Sequence, residues 1–517
     1  MQIDDILSII YDKNVGWRPV SGSIKPVHVA NGLFRDLLDG QHYSIKDLLA
    51  FVVPYKNKNS REPHDKKTYK YLVRELSDPR YAAFKEDRYK EKFEQLRDYA
   101  MGLISADKAV FPEPTKSSLT LTCHQMITDD YNDREVGRYM AQILRGKEGN
   151  GKLGQLVKEL LQQTPTDPIS VMFSPLLSRD PKYSPIASDK CSPYDNENLS
   201  GFFNNLEKAA DCLYSHEVLL GNRLTTLQRV VHFACLSLLS HAQMLSANGK
   251  QDARVPFLLV MDAPKGSSLA KASEQTLILY YEAFENWLAE QLAARITNNE
   301  PIVNGEDDEN RFKYFPKKTK ESVKGFFSEE ILGCKGAVPD RDLVNSRMSI
   351  FEQSANKFCP ECAWSSVDDK TWTLILADAL VQCYVQEYES SGGPEKFLKG
   401  LGRQAGIIYP HFQGRSTEKR FKPSVSILDL LVRSCCPAEE TMPLPAFLKT
   451  LWETYGIIVG GRTGNGIGDH ELLANIRVDI SQNDLEANVN EFVEHLVQIG
   501  LARRYPDNIS YIGNYNA

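Results

Sequence analysis

The chain has 517 residues, 42% hydrophobic and 25% charged, with a net charge of −7. That is ordinary globular composition with room for roughly three domains at about 100–200 residues each. The negative balance excludes a uniformly basic nucleic-acid coat but not a local basic patch, and no apolar run approaches the about 18 residues a membrane helix needs.

The N-terminus, MQIDDILSIIYDKN, is acidic and amphipathic, with no basic n-region and no small-residue cleavage site. It predicts a cytoplasmic protein without a secretory signal or a membrane partner. Ten cysteines are present, most inside apolar helix-like runs such as Cys235 in VVHFACLSLL. In a reducing compartment they are expected to be small core residues rather than disulfides.

Residues 51–100 hold thirteen Lys/Arg, nine Asp/Glu and nine Phe/Tyr. Two amphipathic helices are predicted there, separated by Asp78-Pro79. SSLTLTCHQMI (117–127) predicts a strand and DREVGRYMAQILRG a helix. GKLGQLVKELLQQ predicts a further helix, and DPISVMFSPLL a buried strand. Residues 178–200 are rich in Pro, Ser, Asp and Asn and read as a long loop at a domain boundary. From 201 to 300, long 3.6-period segments surround one strand-like run, VPFLLVMD (255–262). A charge-blocked linker covers 300–321, and 322–402 is again helical.

The clearest pattern lies at 424–517. SVSILDLLVRSCC is a helix with Ser424 at its N-cap. PLPAFLKTLWETYG is a second, with Pro in its first turn and Gly456 past its end. NDLEANVNEFVEHLVQIG is a third, with Leu485, Val489, Phe492, Val493, Leu496 and Val497 on one stripe. LARRY, PDN and ISYI follow as two short strands around a turn. Three helices and a β-ribbon resemble a winged-helix domain. That fold often reads DNA with its third helix, but here this helix carries Asp484, Glu486, Glu491 and Glu494 and no Lys or Arg, which repels phosphate. Arg503 and Arg504 on the wing can touch a backbone; the alternative is a protein-packing module.

Several motifs suggest chemistry. GKEGNGKL (146–153) nearly matches a phosphate loop, but Leu153 replaces the magnesium-binding hydroxyl and a helix pattern precedes it. It reads as a glycine turn. Cys359-x-x-Cys362 is half of a zinc knuckle, with no second pair at zinc spacing, so no metal is assigned. His232 and His241 sit nine residues apart on one helix, on opposite faces, and read as core-edge histidines. Gly266-Ser267-Ser268 after VPFLLVMD reads as an ordinary strand-to-helix connection. No catalytic residue and no cofactor is assigned.

Basic residues interleaved with aromatics form three clusters. Lys56, Lys58, Arg61, Lys66, Lys67 and Lys70 surround Tyr55, Tyr69 and Tyr71. Six Lys/Arg lie at 311–324 around Phe312, Tyr314 and Phe315. Arg415, Lys419, Arg420 and Lys422 lie beside Phe412 and Phe421. Cations pair with phosphates and aromatic faces stack on bases; the alternative is solvated helix faces with aromatics turned to the core.

GIIYPHFQGRSTEKRFKPSVSILDLLVRS and PLPAFLKTLWETYGIIVGGR are similar to segments of uncharacterised subunits from bacterial multi-gene phage-defence systems. The likeness covers about 110 residues and implies a multi-subunit, DNA-linked antiviral assembly.

The expected fold is mainly α with minor β (α+β). It divides into an N-terminal α+β domain (1–177), a central helical domain with a short strand (201–300), a helical domain (322–423) and a winged-helix-like domain (424–517). The expected function is a non-catalytic scaffold or adaptor subunit. It binds other protein subunits of the same operon and contacts DNA through Lys56, Lys58, Lys66, Lys67, Lys70, Arg415, Lys419, Arg420, Lys422, Arg503 and Arg504. The alternative is a nuclease or nucleotide hydrolase whose site is not recognisable in the sequence.

Overall fold

The computed structural model describes residues 3–20, 22, 24–44, 124–164, 178, 180–184, 190–220, 222–261, 264–303, 315–330, 341–360, 364–387, 393–411, 419–462, 467–506 and 509–513, and the backbone alone at 55–57 and 60–63. Helix accounts for 66% and strand for 5%, so the protein is mainly α. In chain order the helices are α1 (Ile3–Ile10), α2 (Pro26–Leu37), α3 (Val136–Arg145), α4 (Lys152–Gln162), α5 (Ser200–Leu220), α6 (Arg223–Ser246), α7 (Ser268–Thr297), α8 (Lys320–Gly325), α9 (Arg341–Phe358), α10 (Asp369–Glu387), α11 (Pro394–Gln404), α12 (Val425–Cys435), α13 (Leu444–Tyr455), α14 (Asp469–Asn475) and α15 (Gln482–Gln498). The short strands are β1 (Gln41–His42), β2 (Tyr55–Asn57), β3 (Ser60–Pro63), β4 (Lys182–Tyr183), β5 (Phe257–Leu258), β6 (Met442–Pro443), β7 (Ile457–Ile458), β8 (Ala502–Arg504) and β9 (Ser510–Ile512). β1 pairs antiparallel with β4 and β2 with β3; β5 pairs parallel with β7; β6, β9 and β8 form an antiparallel sheet in that order.

Side-chain caps start the longest helices. Asn222 Oδ1 accepts from Leu224 N–H and Thr225 N–H at the head of α6, and Ser267 Oγ from Ala270 N–H at the head of α7. Each cap satisfies a donor that the helix leaves unpaired. Every residue of α6 from Val230 to Leu245 is buried, because a helix apolar on all sides has to lie at the centre. Gly32 of α2 and Gly137 of α3 let those two helices cross in backbone contact: a Cβ on Gly137 would collide with Gly32.

A buried polar knot ties several elements to α6. Trp17 Nε1–H donates to His241 Nδ1 at 3.1 Å, and Tyr139 Oη lies 2.9 Å from His241 Nε2. An indole can only donate, so Nδ1 is the acceptor and Nε2–H donates to Tyr139. Burial pushes the His241 pKa down to about 3, which keeps the ring neutral.

The segments expected as separate domains share one apolar core, running from Ile3 to Ile512. The reason is pairing across long separations. β5 and β7 align Phe257 with Ile457 and Leu258 with Ile458. Arg229 of α6 bridges Glu217 of α5 and Asp429 of α12 at 2.8 and 2.9 Å. Gly456, at φ +65°, closes α13 against Gln243 and Arg254, where a side chain would not fit.

Other expectations are corrected. Of 117–127, His124–Met126 forms a 3-10 turn rather than a strand, and 117–123 lie outside the described residues. Among the described residues of VPFLLVMD, Phe257–Leu258 alone form strand, paired with β7; Asp262 lies outside the described residues. Residues 178–200, expected as loop, include β4 and 3-10 turns at Pro193–Asp195 and Glu197–Leu199. Ser424 stands at the N-cap of α12 but its side chain makes no cap hydrogen bond. His232 and His241 are buried in the core rather than at its edge, since α6 is enclosed all round. Cys359 is disulfide-bonded, against the expectation of free thiols throughout.

Candidate nucleic-acid interface

The described part of the third basic cluster is built on α11 and the turn after it. Gly393 and Pro394 set the start of α11, and the helix carries Lys399 and Arg403 one turn apart on one face. The chain then turns at Gly406 (φ +78°). Tyr409 and Arg420 form a two-way backbone bridge: Tyr409 N–H donates to Arg420 O at 2.9 Å, and Arg420 N–H to Tyr409 O at 3.3 Å. Phe421 anchors the returning strand. Its N–H donates to Ser273 Oγ at 2.9 Å, its carbonyl accepts from Val260 N–H at 2.9 Å, and its ring stacks on Phe257 at 5.3 Å.

An extended chain alternates its faces. With Phe421 turned inward, Arg420 and Lys422 turn outward, over one aromatic ring. The Arg420 guanidinium carbon lies 5.0 Å from the Tyr409 ring centroid and Lys422 Nζ 6.0 Å from it. His411 meets the same ring edge-on at 5.8 Å. Burial, and then Lys422, keep the His411 pKa below its ordinary value of 6.5, against its hydrogen bond to Ile408 O. Among the described residues, the buried Nε atoms of Arg403 and Arg420 have no hydrogen-bond partner, a state that normally costs free energy.

Lys419 does not join this surface. It is only 9% exposed, and burial together with Arg403 and Lys399 holds its pKa below 10.5, against Glu274. Its side chain follows Phe421 into the protein, so the expected phosphate contact at Lys419 is corrected to a withdrawn cation. Arg503 and Arg504 are exposed on β8. Arg504 is drawn onto α15, with Nη2–H donating to Asn490 O at 3.3 Å and Nη1 lying 3.7 Å from Glu494 Oε2.

The other expected contacts are not brought to this place. Lys58, Lys66, Lys67, Lys70 and Arg415 lie outside the described residues, and Lys56 is described by its backbone in β2 alone. In the 311–324 cluster, Lys318 pairs with Asp369 at 2.8 Å and Lys320 with Glu352 at 2.9 Å.

The remaining motifs take structural roles. The loop of GKEGNGKL joins α3 to α4, and a helix rather than a strand precedes it. Lys147 N–H donates to Glu207 Oε1 at 3.1 Å, and Tyr194 Oη–H donates to the same oxygen at 2.6 Å. A protein carboxylate thus occupies the loop amide that a phosphate would need. Ser267 caps α7, while Ser268 Oγ–H donates to Asp484 at 2.9 Å. The disulfide at Cys359 removes the thiolate that a zinc ion requires; Cys362 lies outside the described residues.

Sequence reasoning missed one further assembly, a cavity of about 600 Å³ among α7, α9, α10 and α11. Its carboxylates come from positions about a hundred residues apart. The one local signal was Asp378, a lone acid inside the apolar run LILADALVQCYV.

The sequence matches no protein-family model, and no characterised protein or solved structure is significantly similar to it.

Proposed function

We propose that this chain is a non-catalytic scaffold or adaptor subunit that holds partner proteins and touches the DNA backbone. It would act in a cytoplasmic bacterial antiviral assembly. The observation that carries the DNA contact is the Tyr409 platform, with Arg420 and Lys422 held above one ring on a strand pinned by Phe421. Guanidinium and ammonium groups so placed suit phosphate without reading sequence. The C-terminal segment is read as a winged-helix module. α12, α13 and α15 followed by the β8–β9 ribbon support this, and the acids of α15 favour packing over groove insertion.

The partner-protein part is supported by side chains left open near the α5–α6 turn and the start of α12. Val218, Leu219, Leu224 and Val425 are all exposed and so are available to an apolar partner surface.

Fluorescence anisotropy of the full chain with unrelated duplexes, at several salt concentrations, tests the DNA contact. Affinity should be insensitive to sequence and fall steeply with salt. The double variant Arg420→Ala/Lys422→Ala should flatten the plot of log affinity against log salt by about two units. An unchanged slope rejects this surface.

A further inference from the structure

A cavity of about 600 Å³ is bounded by α7, α9, α10 and α11. α7 supplies Ile278, Tyr281, Glu282 and Glu285, which follow at helical spacing and share one face. Asp378 comes from α10, Glu395 from the first turn of α11, and Lys357 from α9. Acids therefore outnumber bases on the wall, and the single base is already engaged. Lys357 Nζ–H donates to Asp378 Oδ1 and Asn286 Oδ1, both at 2.8 Å, and Ser354 Oγ–H to Asp378 Oδ2 at 2.6 Å. Asp378, only 2% exposed, is thereby satisfied. Glu395 accepts from Lys399 at 2.9 Å.

Glu285 is left over. Gln382 hydrogen-bonds to it, but no cation among the described residues forms an ion pair with it. A second, independent feature points the same way. Tyr281 is 7% exposed, lines the cavity, and has a buried Oη without a hydrogen-bond partner. A buried hydroxyl left unmade costs free energy that a ligand can recover. At the rim, Ile278 is 50% exposed, an apolar contact for a hydrocarbon stem.

We propose that this cavity binds a small aliphatic amine, with its ammonium donating to Glu285 and to Tyr281 Oη and its methylene stem lying on Ile278. An ammonium offers three donors and a counter-charge to Glu285, which forms no ion pair with a cation among the described residues. The volume suits a small ligand. Among the described residues no group of His, Cys, Asp and Glu could hold a metal ion, so the organic cation fits where a metal does not.

The proton competes with the amine at Glu285. The groups facing it are Glu282 on its own helix, Glu395 from α11, Asp378 from α10 and Tyr11 from the segment after α1. Burial first, then Glu395, lift its pKa to about 7. Only the ionised form binds, so apparent affinity should weaken about tenfold from pH 8 to pH 6.

Isothermal titration of the full chain with putrescine provides the test. Saturable binding is expected at pH 8, weakened about tenfold at pH 6 and at least tenfold in Glu285→Gln. Tyr281→Phe should weaken it severalfold. The far-ultraviolet circular dichroism of each variant verifies that it folds. If Glu285→Gln fails to fold, the Tyr281→Phe loss and the wild-type pH profile decide instead. Absence of saturable binding by putrescine and by spermidine overturns the proposal. So does undiminished binding in Glu285→Gln, or full displacement of putrescine by equimolar magnesium, which would mark a divalent-ion site.

Discussion

The two charged regions of this protein meet on one helix and handle their charge in opposite ways. α11 begins with Glu395 at the acidic cavity and ends with Arg403 at the basic turn, in the order its dipole favours. On the acidic side, charge is neutralised internally: Asp378 by Lys357 and Ser354, Glu387 by Arg347, and Glu285 by a pKa raised far enough to hold a proton near neutrality. Arginine has no such outlet, because it stays protonated throughout the accessible range. On the basic side Arg420 and Lys422 lie over the ring of Tyr409. Acids are thus spent largely on the fold, while Arg420 and Lys422 gather at one aromatic platform.

The sharpest way to break this comparison is Arg347→Ala. Arg347 is fully buried and grips Glu387 with two hydrogen bonds, at 2.7 and 3.0 Å, while also donating to Phe327 O at 3.0 Å. Removing it breaks a buried ion pair between α9 and α10, so urea unfolding should show a loss of about 4 kcal/mol. Next in size is Glu285→Gln. The carboxyl ionises near 4.5 unfolded and near 7 folded, so between those values the folded state binds the extra proton. Stability then falls as pH rises through that window. The variant escapes this loss, and its stability relative to wild type should rise by roughly 2 kcal/mol between about pH 5 and pH 8. Smallest of all should be Arg420→Ala/Lys422→Ala, whose unfolding free energy should stay within about 1 kcal/mol of wild type. A loss as large as that of Arg347→Ala would show that the basic turn also serves the fold.

Helices with a one-sided pattern were legible in the sequence. The stripe from Leu485 to Val497 marks α15, and Gly456 ends α13 where its left-handed conformation predicts. The strands were less legible, because a two-residue strand such as β7 has too few side chains to show a period and owes its existence to β5, two hundred residues earlier. Arg420 and Lys422 were picked out by charge beside aromatics. Lys419 looked identical in sequence and is buried, because the alternation set by Phe421 is fixed by Ser273 and Phe257, far away in the chain. Glu285 was invisible for the same reason: α7 shows it as one exposed acid among several, and only α10 and α11 close the cavity over it.

The link between β5 and β7 governs the order in which the molecule can be made. Arg254 is buried and forms no ion pair among the described residues; its side chain donates to Gln243 Oε1, Gln251 Oε1 and the carbonyl of Trp452. Gln243 in turn donates to the carbonyl of Gly456. Until residues 452–458 have left the ribosome, this guanidinium lacks the Trp452 carbonyl and the edge of β5 lacks β7. At about 5–20 residues per second, that wait lasts roughly 10–40 s after residue 258 is synthesised. Through that interval β5 and the buried side chain of Arg254 are without the part of their native cover that residues 452–458 provide.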